Sequence, residues 1–476
     1  MTWRDMFLHE WQTRLSRPAA LASFVLFTLV LVYGAISGQL AREARLESVA
    51  LHEAEVQETM TKWRADLQAL EAKGPHEGVP PWSGSAMDVT FSSHLPPGPL
   101  ADFAIGQSDL LPHLGSITLW EPDVRLFSRY EFADPVSLAL GAFDLGKAIL
   151  LVLPLLLIVV SFDVLSAERD SNRLMLTLAQ GVRIKSFFWQ RLLIRAGWVL
   201  GLTLLICLAA LVLNGESQSM TQRLPYFVLW MLSVLLYGAF WIAMIAFIAS
   251  RNGRGVSNVM TLLLAWAGFT LILPACMTAV TEALYPTPSR LAYLGEAREI
   301  EIETESAEPE ITQQFVVDHP DLFVADATDI PGYVRTAFLV TSTVDAATRD
   351  VLSSFESTAS QRAAALGRLR FASPTVMTHG LFNDIAGASS ARHHRYMAQA
   401  RAFKAAYAEQ AGRFIVAGQR LPFHVAESLP RFHFEDGGVT AIARRSVSAW
   451  LVLAIVTGLL LLAAHRRLRH VGLPDT

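Results

Sequence analysis

The chain has 476 residues, 52% hydrophobic and only 17% charged, with a mean hydropathy of +0.35; soluble domains carry about a quarter charged residues, so an ordinary soluble enzyme is excluded and a membrane protein indicated. Its 39 Lys and Arg nearly balance 43 Asp and Glu, which argues against nucleic-acid binding, because that needs a concentrated basic footprint. Cys207 and Cys276 both fall in apolar runs, so neither a disulfide framework nor a thiolate metal cluster is supported.

A helical crossing needs about 20 apolar residues. Charge-free stretches of that kind lie at 18–38, 148–162, 196–214, 226–250, 255–281 and 446–464, and flanking residues extend the second to 144–164. The expected fold class is an α-helical polytopic membrane protein with six transmembrane helices and two large, mainly helical external domains, 39–143 and 282–445. Arg4, Arg14 and Arg17 precede the first span; Arg169, Arg173, Arg183, Lys185, Arg191 and Arg195 lie in the 165–195 loop; Arg251 and Arg254 lie between spans four and five; and Arg466, Arg467 and Arg469 lie in the 465–476 tail. Positive residues are retained on the cytoplasmic side, which predicts cytoplasmic termini.

In chain order, residues 1–17 place Trp3, Met6, Phe7 and Trp11 opposite Arg4, Asp5 and Glu10, the pattern of an interfacial helix. The first span could instead be a cleaved signal, since Ala35-Ile36-Ser37 suits a signal peptidase. Its apolar run exceeds the about 7–15 residues of a signal core, which favours a retained span. Beyond it, Leu46, Val49, Val56, Met60, Trp63, Leu67 and Leu70 mark one face of a helix running straight out of the span. Such a stripe either packs on the protein's own second external domain, the commoner case, or pairs two protomers. Residues 73–98, rich in Pro and Gly, read as loop.

Gly141 to Lys147 matches the first seven positions of a phosphate-binding loop, but Ala148 stands where Ser or Thr would hold magnesium, and a membrane span follows. The motif is rejected on that context, and no other nucleotide, zinc-protease or nucleophile-elbow signature is present. Pro154 and Pro274 sit within spans, where proline frees backbone carbonyls; fixed packing is the simpler reading and a moving part the other. Trp230, Tyr237, Trp241 and Trp266 read as packing or interface aromatics. The apolar cores contain no charged residue, which disfavours an ion-coupled carrier, a voltage sensor and a charged selectivity ring. Energy for any transport would have to come from another subunit.

Residues 161–195 leave the second span with Glu168, Arg169 and Asp170, continue through Leu174, Leu176 and Leu178, break near Gly181 and re-enter with Phe187, Phe188 and Trp189. Charge and amphipathicity suit either docking to a cytoplasmic protein or a solvated loop. The stretch resembles the one after the second span in membrane subunits of type 2 ATP-binding-cassette (ABC) transporters, approximately Phe-Asp-x-Leu-Ser-x-Glu-Arg-Glu-x-Gly-Thr-Leu. Phe162, Asp163, Leu165, Ser166, Glu168, Arg169 and Leu174 match, and Asp170 stands for the second acid, whereas Asn172 and Arg173 replace the Gly-Thr pair. Residues 134–144, 383–387 and 391–394 resemble a bacterial subgroup of these permeases with large external insertions.

The resemblance implies a permease subunit of a bacterial ABC transporter, of exporter type, in the inner (plasma) membrane. It implies two permease copies, identical or paralogous, engaging separate ABC ATPase subunits through the 165–195 coupling loop. Glu168, Arg169, Asp170, Leu174 and Leu176 would be contact residues; no residue would be catalytic, no cofactor would sit in this chain, and ATP and Mg would be bound by the partner subunit. The rival class is a non-transporting membrane scaffold or sensor whose external domains bind a periplasmic partner.

In the second external domain, 346–370 and 389–414 read as helices, the latter with Tyr396, Ala400, Phe403, Tyr407 and Phe414 on one face. Strand-like runs occur at 311–317, 337–341 and 413–416. Glu296, Glu299, Glu301, Glu303, Glu305, Glu308 and Glu310 form an acidic run that is more readily solvated than cation-binding. His379, His393 and His394 invite a metal, but adjacent histidines on a helix point about 100° apart, so a structural role is favoured.

Overall fold

The computed structural model describes residues 3–15, 17–73, 83–106, 111–126, 143–170, 183–214, 219–251, 253–286, 290–318 and 329–468. Among these, six helices are long and apolar enough to cross a membrane: Pro18–Ala72, Leu145–Arg169, Ile184–Leu213, Met220–Ala249, Gly255–Leu284 and Gly438–Arg467. The protein is thus an α-helical membrane protein.

Helix α1 (Trp3–Glu10) leads through a π turn (Trp11–Leu15) towards α2 (Pro18–Lys73), one uninterrupted helix that carries the first span and the 40–72 stripe together. Helix α3 (Leu145–Ser161) and the short α4 (Ser166–Asp170) precede α5 (Ile184–Leu213), α6 (Met220–Ala249) and α7 (Gly255–Ala267); α7 continues through a π turn (Gly268–Ile272) into α8 (Leu273–Leu284). The last span is α16 (Gly438–Arg467). Helix α6 is the hub: its Trp230, Val234, Tyr237 and Trp241 share one core with Phe27 and Leu31 of α2, Leu153 and Leu157 of α3, Leu192 and Val199 of α5, and Leu453 of α16. Gly38 lets α2 lie against the chain at Asp102, whose carbonyl oxygen would stand 2.0 Å from any Cβ there.

Between spans one and two, β1 (Phe91–His94) pairs antiparallel with β2 (Leu114–Ile117), Phe91 opposite Ile117. Between spans five and six come α9 (Arg290–Ser306), α10 (Glu308–Asp318), α11 (Gly332–Ala347), α12 (Arg349–Leu369), α13 (Pro374–Ala386), α14 (Ser390–Val416) and α15 (Phe423–Glu427). Val56, Met60, Trp63 and Leu67 of α2 meet Phe91, Ile117, Tyr396, Ala400, Tyr407 and Ile415 in a second core. The stripe on α2 therefore packs on the chain's own α14.

Several expectations are corrected. The strand-like runs at 311–317, 337–341 and 413–416 lie inside α10, α11 and α14; the strand preference of β-branched residues is weak and the helical context overrides it. The helix expected at 346–370 is divided at Thr348, between α11 and α12. The 184–195 part of the expected coupling loop is already helical, forming the first turns of α5. Residues 374–386 do not stand apart from the bundle: Met377, Leu381, Phe382 and Ile385 of α13 are buried in the span core, and Phe382 stacks on Trp230 at 4.0 Å.

Candidate functional site

The predicted contact residues sit where α1, α3, α4 and α5 converge. Helix α3 ends at Ser161; a turn through Phe162–Leu165, with Phe162 N bonded to Ile158 O and Ala167 N to Asp163 O, carries the chain into α4, which sets Glu168 beside α5. Arg191 and Arg195 project from one face of α5, one turn apart as helical spacing dictates. Glu10, closing α1, is fully buried between them: Arg191 Nε donates to its Oε1 at 2.5 Å and Arg195 Nε to its Oε2 at 2.7 Å. Arg191 also donates to Glu168 Oε1 at 3.0 Å, and Arg195 to Asp163 Oδ1 at 2.9 Å. Their remaining donors reach the carbonyls of Val164 and Val160.

Burial alone would raise the Glu10 carboxyl, but Arg195 and Arg191 outweigh it and hold Glu10 below its ordinary value. Glu10 is thus an ionised acid in the interior, satisfied by two charge-assisted pairs. Arg169 donates to the carbonyl of Gly253, in the turn between α6 and α7. Glu168 and Arg169 consequently tie α4 to α5 and to the 251–254 turn, rather than standing clear of the bundle. Asp170 ends α4; its side chain, Leu174 and Leu176 lie outside the described residues, as do Leu178 and Gly181.

Sequence reasoning placed Glu10 on the polar face of a surface helix, and the structure corrects this. Met6 is equally buried, against Phe187, Ile194 and Trp198, while Trp3, Phe7 and Trp11 are exposed and Phe7 and Trp11 pack edge-on against Trp198. In the linear sequence the basic residues of 183–195 look like loop charges. Their spacing on a helix was the available signal, and Glu10 was the missing counter-charge.

A second buried pair marks the opposite end of the bundle. Arg223, on the first turn of α6, binds both carboxylate oxygens of Asp102 at 2.8 Å, and also reaches the carbonyls of Pro99, Leu211 and Asn214. Asp144, within the rejected nucleotide motif, caps α3: its carboxylate accepts from Lys147 N at 2.7 Å and Ile105 N at 3.0 Å. The motif's acid thus stitches the 99–106 segment to the span. Gly141 and Ala142, and most of the 134–144 stretch, lie outside the described residues.

Elsewhere, His393 binds the Pro112 carbonyl through Nε2 at 2.8 Å, whereas His394 is exposed. His379 contacts Asn383 on the same helix. The acidic run is not uniformly solvated: Glu301 is 4% exposed and paired with Arg125 and Arg298. A cavity of about 530 Å³ lies between α12 and α14, lined by Leu352, Phe355, Met397, His393, Glu356 and Arg401 among others.

Residues 290–435, α9 through α15 and their flanks, match a family described as a domain of unknown function (DUF3526). The chain matches no curated protein.

Proposed function

We propose that the protein is the membrane-spanning permease subunit of a bacterial ABC transporter of exporter type. It works as two permease copies with separate ATPase subunits, which bind ATP and Mg and drive transport of a substrate the chain does not identify. On this reading it lies in the inner membrane with cytoplasmic termini, and the segments 39–143 and 282–445 face outward.

The observation that supports the reading best is the ion-paired root of the segment after span two. An ATPase pressing on a loop moves the spans only if the loop's base is rigidly joined to them. Here α4 is joined through Glu168 to α5, through Arg169 to the turn before α7, and through the shared arginines to Glu10 of α1. Glu168 and Arg169 then transmit the force, and Asp170, Leu174 and Leu176 are the contact residues to test. The resemblance of 162–174 to type 2 permeases points the same way.

The test is affinity purification of the tagged chain in mild detergent, with mass spectrometry of the eluate and a vanadate-sensitive ATPase assay. A stoichiometric ATPase subunit is expected, lost in a D170K/L174D/L176D variant whose melting temperature is unchanged because Glu10, Arg191 and Arg195 are untouched. Recovery of the chain without an ATPase, at native expression and in more than one detergent, overturns the permease reading. That result favours the scaffold or sensor, for which the 530 Å³ cavity between α12 and α14 is the supporting observation, being within the ~300–1,000 Å³ range of ligand sites.

A further inference from the structure

Where α6 ends, a crevice of about 450 Å³ opens between it and the fifth span. Met244, Phe247 and Ile248 of α6 form one wall; Ala265 of α7, Phe269 of the π turn and Leu273 of α8 form the other. The lining is almost wholly apolar except at one end, where Arg251 closes it. The π turn shapes the far wall: Gly268 faces the crevice, and a Cβ built there meets no protein atom within 4 Å.

The charged end is unusual. The Arg251 guanidinium stands 5.1 Å from the Phe247 ring centre, and Arg467, from the last turn of α16, stands 4.3 Å from the same ring. Cation–π stacking holds both in place. Among the described residues, neither guanidinium has a carboxylate or hydrogen-bond partner. Two like charges gathered on one ring repel each other, and an anion beside them offsets that repulsion. Both side chains are exposed at the end of the bundle, whereas the buried or half-buried Arg191, Arg195 and Arg169 are each bound to an acid or a carbonyl within the protein.

We propose that this crevice is a binding site for one anionic phospholipid, its phosphate on Arg251 and Arg467 and one acyl chain along Met244, Ile248, Ala265 and Leu273. Both arginines terminate spans, which sets them at headgroup depth, and the apolar crevice runs from them towards the middle of the span. Basic pockets between membrane helices commonly hold anionic headgroups, and here an apolar slot for the tail is joined to the charge. A fatty chain fills the space that the π turn leaves between span five and α6. The site depends on the chain crossing a membrane, and not on whether α4 engages an ATPase.

The test uses the purified full chain in a neutral detergent, titrated with dioleoylphosphatidylglycerol or dioleoylphosphatidylcholine and read by native mass spectrometry. One retained phosphatidylglycerol is expected in preference to phosphatidylcholine, with affinity reduced on the order of tenfold in R251Q/R467Q. Gly268→Leu, which adds bulk to the crevice and leaves the charge alone, should weaken both lipids while keeping the preference between them. Arg466→Gln, which removes a neighbouring exposed charge that does not stack on Phe247, should leave phosphatidylglycerol binding within twofold of the parent, about the scatter of such titrations. Equal retention of the two lipids by the parent chain overturns the site. So does an Arg466→Gln loss as large as that of R251Q/R467Q, which would mean diffuse attraction, or undiminished binding in Gly268→Leu.

Discussion

Glu10 shows how much one side chain can hold in an apolar bundle. It is wholly buried and answers two guanidiniums that are themselves 4% and 1% exposed at the side chain. A buried ion pair adds little over a good apolar core, yet removing one partner strands the other charge. Glu10→Gln is therefore expected to lower stability by about 3–5 kcal/mol, seen as a large fall in the melting temperature of the detergent-purified chain. Glu168→Gln, which leaves both arginines bound to Glu10, should lower it far less. Equal melting of Glu10→Gln and parent would mean that Arg191 and Arg195 find other partners. The sequence hid this because a helical wheel compares a residue only with its neighbours on that helix. Arg191 is 181 positions away, and nothing in 2–14 announces it.

Among the elements, the proline-bearing spans show why their carbonyls are not left bare. Pro154 cannot donate to the carbonyl of Leu150, four residues back, and its ring crowds that carbonyl. Tyr237 of α6 supplies the missing donor, its hydroxyl 2.9 Å from Leu150 O, and Trp266 Nε1 reaches the next carbonyl, Leu151, at 3.1 Å. The fifth span repeats the device. In its π turn Leu273 N bonds to Gly268 O, so the next donor in that register would serve Phe269, but it is Pro274. Ser373, capping α13, donates to Phe269 O at 2.7 Å instead. Tyr237→Phe is expected to cost about 1–3 kcal/mol by orphaning Leu150 O. In a Pro154→Ala background, where an N–H returns to position 154, the cost should shrink to a few tenths. A double-mutant cycle on melting would read the difference, and equal costs in both backgrounds would remove Pro154 from the explanation. Tyr237 was legible as a packing aromatic; its role as the donor to a proline-freed carbonyl required knowing that α6 lies against α3.

Across the whole molecule, α2 joins two cores: Phe27 and Leu31 are sunk in the span bundle, and Val56 to Leu67 in the core around α14. The second core also holds titrating groups that do not charge easily. Burial pushes His113 and His393 down to about 4, and nearby Arg45 opposes their protonation further. The unfolded chain binds these protons from its ordinary value of 6.5 downwards, whereas the folded chain resists until about 4. Their contribution to stability is therefore complete above pH 6.5 and lost as pH falls through that window. The melting temperature of the purified chain should fall between pH 6.5 and 4, with a shallower slope in His113→Phe. A slope unchanged in that variant would show that other groups carry the effect.

The sequence by itself determined the apolar spans, the helix running on from the first of them and the amphipathic face of α14, because each depends on hydrophobic periodicity within one segment. It also singled out the 162–174 segment, on which the proposed function rests. What only the tertiary structure decided is which charges are spent inside the molecule. Glu10, Arg191, Arg195, Arg223 and Asp102 resemble surface charges in a linear reading and are buried as pairs. Arg251 and Arg467 resemble the same residues and stay exposed, with no acid bound to them among the described residues. The difference lies in which side chains come within hydrogen-bond reach across the bundle, and that is fixed by the packing of helices far apart in the chain. The burial of α13 against α6 was decided in the same way: its thirteen residues are too few to declare a span, and only the contact of Phe382 with Trp230 assigns them to the bundle.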